Sequence, residues 1–356
     1  MRTGTLPDQG VDRSANPSPP SLFTIADDLT GALEVGAKFA AHDLPATVVT
    51  DIDRKPVAQP VALIVDLETR HIAEEEAAAR TRKMAALARD PAVTLLYIKT
   101  DSTLRGNIGA QFRAIEQLFP EQRIVYVPAY PDMGRTVKDG KLFVNGKPVH
   151  ETEFANDPRS PVRDCTISSM LGDVRALILD GESNRDVDLA ASSILQSSAP
   201  RICAGPAALA EALAMQLNPQ TTPHIKFRRI RRCLVVNGSL HSISLAQIAA
   251  AEERGILDEN WKLLNEPVEG SGSERALRVG ECVKRILSFE RFEAMLVFGG
   301  DTALGIHRAL GSHSFEAVGE IAPGVAVSSS AGLLWITKAG GFGPPDILAR
   351  IRNRLT

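Results

Sequence analysis

The feature that most constrains this chain is a repeating unit: a short β-branched apolar run, a polar or glycine-rich loop, then a helical pattern. Val93-Thr94-Leu95-Leu96-Tyr97-Ile98 is such a run, of strand length. Lys99-Thr100-Asp101-Ser102-Thr103-Leu104-Arg105-Gly106-Asn107 follows it, and Ile108, Phe112, Ile115 and Leu118 then recur at helical spacing. Strand, loop and covering helix in alternation predict a mostly parallel α/β sheet, whose ligands bind at the carboxyl ends of the strands. The loop offers an ammonium, a guanidinium, two hydroxyls and a carboxylate. That set suits a small polyhydroxylated acid, with cations for its carboxylate and hydrogen-bonding groups for its hydroxyls. A charged surface loop with an ordinary helix cap is the equally open reading.

The unit recurs along the chain. Leu22 to Ala26 reads as a strand running into Asp27-Asp28-Leu29-Thr30-Gly31-Ala32 and a helix through Phe39. Ala46 to Thr50 and Val61 to Val65 read as strands, and Ala73 to Ala88 as a helix. Arg123 to Val127, Ala176 to Leu179 and Arg201 to Ala204 are further strands, with helices at Asp188 to Leu195 and Ala207 to Leu217. Asn145-Gly146 between two short runs predicts a hairpin.

A chain of 356 residues, 44% hydrophobic, has material for two cores. Its net charge of −3 gives no basic face for nucleic acid. The thiols Cys165, Cys203, Cys233 and Cys282 are far apart in sequence and lack CxxC or His-Cys spacing. Neither a zinc site nor a disulfide framework is therefore expected, and the thiols fit a reduced, cytoplasmic setting. No apolar stretch is long enough to span a membrane. Residues 1–21 read as a disordered tail, without the apolar core of a signal peptide.

The polar stretch from Asn218 and the basic run Arg228-Arg229-Ile230-Arg231-Arg232 mark a linker over 218–232. This divides the chain into domains at 22–217 and 233–356. In the second domain three strands end in small residues. Leu234 to Val236 leads to Asn237-Gly238-Ser239, Ala294 to Phe298 to Gly299-Gly300-Asp301-Thr302, and Leu333 to Thr337 to Lys338-Ala339-Gly340-Gly341-Phe342-Gly343. Helices follow the first two, from Ser244 to Glu253 and through Leu310. Such turns let backbone amides approach an anion with a helix N-terminus behind them. Gly134 to Lys141 approaches a Walker A loop but has five residues between its glycines, and no GxGxxG opens a helix.

Together these stretches resemble the four-carbon acid sugar kinase family. The likeness runs from Leu22 onward, through Ala26 to Ala32, Lys99 to Asn107, Val127 to Pro131 with Gly134-Arg135-Thr136, His150 to Pro158, Gly238-Ser239, Gly299 to Ala303 and Lys338 to Gly343. The resemblance implies an ATP-dependent kinase for acids such as D-threonate, D-erythronate or a 3-oxo-tetronate, phosphorylated at the terminal hydroxyl. It implies an N-terminal sugar-acid domain, a C-terminal nucleotide domain and catalysis in the cleft between them. Between Gly255 and Ala294 the chain looks shorter than the family pattern, and Gly270-Ser271-Gly272-Ser273 there reads as a loop.

Roles follow residue by residue. Asp28 is the candidate contact to substrate hydroxyls and acceptor of the attacking hydroxyl's proton, with Asp27 capping the helix, pairing with Lys99 or contacting substrate. Lys99, after a buried strand, would meet the substrate carboxylate or the transferring phosphoryl, or pair with Asp27 or Asp101. Arg105 is the candidate bidentate partner of the carboxylate, Arg135 a weaker one, and Asp101 and Ser102 complete the acid site. Asp157 reads as a capping or pairing residue. Ser239, Gly299, Gly300, Asp301, Thr302, Gly340, Gly341 and Gly343 are the nucleotide candidates. Asp301 reaches Mg²⁺ or caps its helix. His241 and His307 read as ordinary surface or packing residues. The expected partners are a small sugar acid and ATP, with no nucleic acid or membrane and a homodimer left open. A non-catalytic sensor of sugar acid and nucleotide, or a kinase of another small hydroxy acid, is the alternative.

Overall fold

A computed structural model describes residues 21–51, 60–197, 201–220, 227–265 and 272–356. Residues 1–20 of the tail expected over 1–21, linker residues 221–226 and Gly270-Ser271 lie outside the described residues. In chain order the strands are β1 (Leu22–Ala26), β2 (Ala46–Val49), β3 (Ala62–Asp66), β4 (Leu95–Lys99), β5 (Val125–Tyr126), β6 (Arg135–Lys138), β7 (Lys141–Val144), β8 (Lys147–Pro148), β9 (Leu177–Ile178) and β10 (Arg201–Gly205). They continue with β11 (Cys233–Asn237), β12 (Trp261–Leu264), β13 (Ala294–Phe298), β14 (Ser314–Ala322), β15 (Val325–Ser330) and β16 (Leu333–Lys338). The helices are α1 (Leu29–Ala41), α2 (Glu74–Ala85), α3 (Ile108–Leu118), α4 (Ile167–Leu171), α5 (Asn184–Gln196), α6 (Ala207–Leu217), α7 (Ser242–Glu253), α8 (Gly272–Phe289), α9 (Gly300–Ala309) and α10 (Ile347–Leu355).

Both expected parallel arrays are present. One runs β2-β3-β1-β4-β10-β5-β9 and the other β12-β11-β13-β16, every neighbouring pair parallel. They do not stand apart as two sheets. The antiparallel strands β15 and β14 link β16 to β2, making one continuous 13-stranded sheet. The sequence reading left β14 and β15 unassigned, although Phe315, Ala317 and Ile321 alternate with polar or small residues. Their pairing covers the edge of β2, which would otherwise expose unpaired backbone groups.

A small second sheet orders β6-β7-β8. The predicted hairpin turn holds, with Asn145 and Gly146 both at positive φ (49° and 79°), as a type I′ turn requires. A correction falls on the run read as a loop near 272. Gly272 and Ser273 open α8, whose apolar face packs against α9.

The contact between the two halves is charged as well as hydrogen-bonded. Lys38 on α1 is buried and donates to Glu320 on β14 at 2.7 Å, with Glu211 on α6 at 2.9 Å. Burial would lower its pKa, but Glu320 and Glu211 outweigh it and hold the ammonium charged. Glu320 is itself pushed up by burial, so losing Lys38 leaves an uncompensated carboxylate inside the joint. We therefore expect Lys38→Met to destabilise the protein by about 3–5 kcal/mol in urea unfolding. Lys38→Met with Glu320→Leu should recover a large part of that loss, and no recovery would place the cost in packing instead.

Candidate active site

The carboxyl ends of three adjacent parallel strands, β3, β1 and β4, meet at one point. Asp27 and Asp28 follow β1. Asp27 is 1% exposed and takes two bonds from Arg70, Nε to Oδ2 at 2.7 Å and Nη2 to Oδ1 at 2.8 Å. Asp28 takes two more, from Nη1 and Nη2, both at 2.8 Å. Asp101, beyond β4, stands 3.6 Å from the same guanidinium. Arg70 itself follows β3, and Asn107 fixes its loop by donating to the carbonyls of Thr69 and Ile72, each at 2.8 Å. Gly106, at φ 90°, admits this loop: a Cβ there would come within 3.3 Å of the Arg70 backbone.

Asp28 is also the N-cap of α1, accepting from the Gly31 N–H at 3.0 Å. The cap expected of Asp27 therefore falls to Asp28. Asp27 caps nothing, lines neither cavity described below and pairs with Arg70 rather than Lys99, so it is removed from the substrate contacts. Burial would push Asp28 up, but Arg70 and Lys99 outweigh it and hold the carboxyl below its ordinary range.

Lys99 is buried, and its Nζ donates to the Thr100 carbonyl at 3.0 Å. Among the described residues no carboxylate lies within ion-pair distance of it. Gly31 makes its place: a Cβ there would lie 2.5 Å from Lys99 Nζ and 2.7 Å from Asp28 Oδ1. Asp101 accepts from Thr103 Oγ1 at 2.5 Å and from Arg105 Nε and Nη2 at 3.0 and 2.8 Å. Against burial, Arg105 and Arg70 hold its carboxyl well below the usual range. Arg105 extends to Asp157 at 3.1 Å, which pairs as expected.

Two of the cavities over these groups contain Asp28. The smaller, of about 70 Å³, is walled by Asp28, Glu34, Lys99, Asp101, Ser102 and Arg105, and closed by Gly324, Ala339 and Phe342 from the second half. The larger, of about 690 Å³, shares Asp28, Thr30, Arg70, Arg105, Ala339 and Phe342 with it. Six arginines (Arg70, Arg80, Arg105, Arg159, Arg275, Arg308) and four carboxylates (Asp28, Glu68, Glu153, Asp301) line the larger cavity, an excess of cations suited to a polyanion. The first turns of α1 and α9 face each other across it. A Cβ on Gly300 would collide with Thr30 Oγ1 and lie 3.9 Å from Asp28 Oδ2.

Ser239, Gly299, Gly300, Asp301, Thr302, Gly340 and Gly341 all line this larger cavity. Gly343 does not: it sits at φ 90°, and its carbonyl accepts from Gln247 Nε2 at 2.8 Å, which makes it part of the loop's support. Arg135 lines neither cavity. It is buried between Phe154 and Phe342, 5.9 and 4.9 Å from their ring centres, and donates to the Met133 carbonyl. Asp301 accepts from Arg159 Nη1 at 3.0 Å rather than standing alone. His241 is no ordinary surface residue: it caps α7 through Nδ1 and lines the cavity. His307 is a packing residue, stacked on Phe315 with ring centres 4.3 Å apart.

Residues 22–174 match the family "Sugar-binding N-terminal domain" and residues 265–348 the family "Nucleotide-binding C-terminal domain". The chain is 27% identical to a D-threonate kinase of Salmonella typhimurium, over 92% of this chain and 96% of that one. It is 28% identical to a D-threonate kinase of Bordetella bronchiseptica (93% and 96%) and 24% to a 3-oxo-tetronate kinase of Pectobacterium atrosepticum (93% and 98%). The chain belongs to the four-carbon acid sugar kinase family. The fold agrees. A Salmonella typhimurium crystal structure superposes with a TM-score of 0.78 at 19% identity, covering 94% of this chain and 99% of that one. A Bordetella bronchiseptica structure with bound citrate, described as a domain-swapped dimer, gives 0.53 at 27% identity, covering 95% and 98%. The alignment to the Salmonella kinase runs to 413 positions although this chain has 356 residues, so that relative carries segments this member lacks.

Sequence reasoning missed Arg70 and Glu68. Both follow β3 in Leu67-Glu68-Thr69-Arg70, so the rule that led to Lys99 and Asp28 would have found them. Glu68 accepts from Leu29 N–H at 3.0 Å, and burial, Asp28 and Asp301 push its carboxyl up. Arg70→Leu should destabilise this family member by about 3–5 kcal/mol at pH 7, because the buried Asp27 and Asp101 and the partly buried Asp28 lose their common cation. The lost charge raises their pKa values, so the deficit should shrink as the pH falls and they take up protons. In the unaltered protein the sign is opposite for Asp101. Its depressed pKa contributes stability above the unfolded value of roughly 3.9, which is lost as pH falls through and below it. Urea unfolding of both proteins at pH 7 and pH 5 checks this, and a pH-independent difference would refute it.

Proposed function

We propose that this protein is an ATP-dependent kinase that phosphorylates the terminal hydroxyl of a four-carbon sugar acid, of the D-threonate, D-erythronate or 3-oxo-tetronate type. The observation that carries the reading is the junction of the two cavities. A small polar chamber holding an ammonium with no ion-paired carboxylate among the described residues opens at Asp28 and Thr30 onto a larger, arginine-rich and glycine-walled one. The curated relatives supply the substrate class: the names D-threonate, D-erythronate and 3-oxo-tetronate kinase all occur among them.

In this reading the acid occupies the smaller chamber. Lys99 receives its carboxylate, with Ser102 and Asp101 beside the hydroxyls. Arg105 is already committed to Asp101 and Asp157, so it shapes the chamber and adds field. The triphosphate lies in the larger cavity against the amides at Ser239, Gly300 and Gly340, with the α9 N-terminus at its distal end. Asp28 stays ionised at neutral pH and accepts the hydrogen bond of the attacking hydroxyl. Its depressed pKa makes it a weak base, which is tolerable because phosphoryl transfer depends mainly on positioning and charge stabilisation.

Asp301 and Glu68 would be the oxygen donors for the magnesium that accompanies ATP. Glu68, pushed up by burial and then by the charges of Asp28 and Asp301, has most to gain from a cation, and Asp301 would exchange Arg159 for it. This ion keeps several waters and takes few carboxylates, so the donor set fits. When bound, it would neutralise charge on the transferring phosphoryl. The small-molecule partners, sugar acid and ATP, and the cytoplasmic setting expected from the sequence remain part of this proposal, as does a homodimer, which the Bordetella structure's description supports as a form to look for.

Release of ADP should require one of the three acids in a panel of three- to six-carbon aldonic and oxo acids. ATP turnover indifferent to every acid would overturn the reading. Lys99→Met should lower kcat/KM for the acid by at least about 30-fold, as loss of a buried charge contact worth roughly 2 kcal/mol or more does, while ATP affinity holds. Thermal stability should change little, because burial of the ammonium and its field on Asp28 act in opposite directions and it closes no ion pair among the described residues. Asp28→Asn should reduce turnover by roughly 10²–10⁴ if the hydroxyl proton passes to it. Near-normal turnover would leave Asp28 only its cap.

A further inference from the structure

The loop that walls the larger cavity has an unusual base. Residues 151–163 carry Glu153, Phe154, Pro158 and Arg159 into that wall. Asp157 and Arg159 in the same segment reach Arg105 and Asp301, at 3.1 and 3.0 Å. Where this segment leaves the body stands His150, and where it returns stand Asp164 and Cys165. A ring nitrogen of His150, a carboxylate oxygen of Asp164 and the Cys165 sulfur all lie within 4.8 Å of one another. None of the three belongs to the kinase site.

We propose that His150, Asp164 and Cys165 form a binding site for a thiophilic divalent cation of the zinc class, which clips together the two ends of the cavity-wall loop. The donor set is one imidazole, one carboxylate and one thiol, all ligands zinc accepts. Ligands about 2.0–2.3 Å from a tetrahedral ion lie roughly 3.5 Å from one another, so the three need move by only about an ångström.

A second observation points the same way. His150 Nδ1 is buried and, among the described residues, has no hydrogen-bond partner, which is costly for a polar atom and would be relieved by a metal. The other ring nitrogen, Nε2, lies 4.0 Å from the exposed Glu151 Oε1, too far for a hydrogen bond but on the solvent side of the ring. Asp164 is held by the Thr166 N–H at 2.9 Å. Cys165 is buried, and its carbonyl is tied to Leu142 of β7 at 2.9 Å, so the sulfur is anchored to the small sheet. Binding would convert the Cys165 thiol to a thiolate, with its proton released to solvent. His150, partly exposed, leaves a way in and a fourth position for water.

The full-length protein, kept reduced with a non-thiol reductant, would be titrated with Co²⁺ and then Zn²⁺. We expect one equivalent of Co²⁺ to produce a thiolate-to-metal charge-transfer band that Zn²⁺ bleaches. Zn²⁺ should also raise the melting temperature, as any ligand of the native state does. Cys165→Ser should abolish the band, and Cys282→Ser should leave it. Because Cys165 is buried and its variant could fail to fold, His150→Ala is the deciding second variant. It should weaken Co²⁺ binding by at least about tenfold, the lower bound for losing even an outer partner of a metal site. Absence of the band, its survival in Cys165→Ser, or unchanged affinity in His150→Ala would each overturn the proposal. None of these readouts depends on turnover.

Discussion

The guanidinium of Arg70 is the interaction on which the site rests. Three adjacent parallel strands, β3, β1 and β4, deliver Arg70, Asp27 with Asp28, and Asp101 to one buried point. Carboxylates that close cannot all stay ionised in a dry interior without a cation among them. Because Arg70 supplies that cation, Asp28 remains an anion in a fixed orientation. Lys99 adds to the field that keeps Asp28 charged, but among the described residues it closes no ion pair of its own. Its ammonium is then left with a carbonyl and a cavity, which is the condition under which a ligand's carboxylate can be drawn to it.

The second dependence is the seam between the halves. The three-residue ladder from β14 to β2, with the pair between Lys38 on α1 and Glu320 on β14, joins two parallel arrays into one sheet. Every parallel array presents the carboxyl ends of its strands on one side, and the seam turns the two sets toward each other. The first turns of α1 and α9 consequently meet at Thr30 and Gly300. The smaller chamber is closed by Gly324, Ala339 and Phe342, residues far along the chain from the rest of its wall. Neither half has a complete chamber alone.

Arg135 shows how an arginine can resemble a ligand-binding residue and serve another purpose. Its sequence position suggested a carboxylate contact. The side chain instead lies between Phe154 and Phe342, rings from the two halves, with burial lowering its pKa. Cation–π contact holds the glycine-rich loop against the cavity-wall loop. Lys338 is similarly placed under that loop. It is buried, donates to the Ala339 carbonyl at 2.6 Å and lies 5.2 Å from the Phe298 ring, with its pKa pushed down to about 8 by burial.

The sequence by itself determined the parallel units, the Asn145-Gly146 hairpin and the loops that carry ligand-binding groups. Those features are local: side-chain periodicity, turn chemistry and polar residues at strand ends are written within about ten residues of each other. It also pointed to Asp28, Lys99, Asp101 and Ser102, and all four line the smaller chamber. Only the tertiary structure decided which of two adjacent aspartates caps the helix and which is sealed against Arg70. That choice depends on an arginine 42 residues away from Asp28. Likewise it decided that Gly343 supports its loop and Arg135 packs, and that His150 meets Cys165 although no motif joins them. Strand order and the β14–β2 seam bring distant segments together, and such long-range pairings leave no periodic trace in the chain.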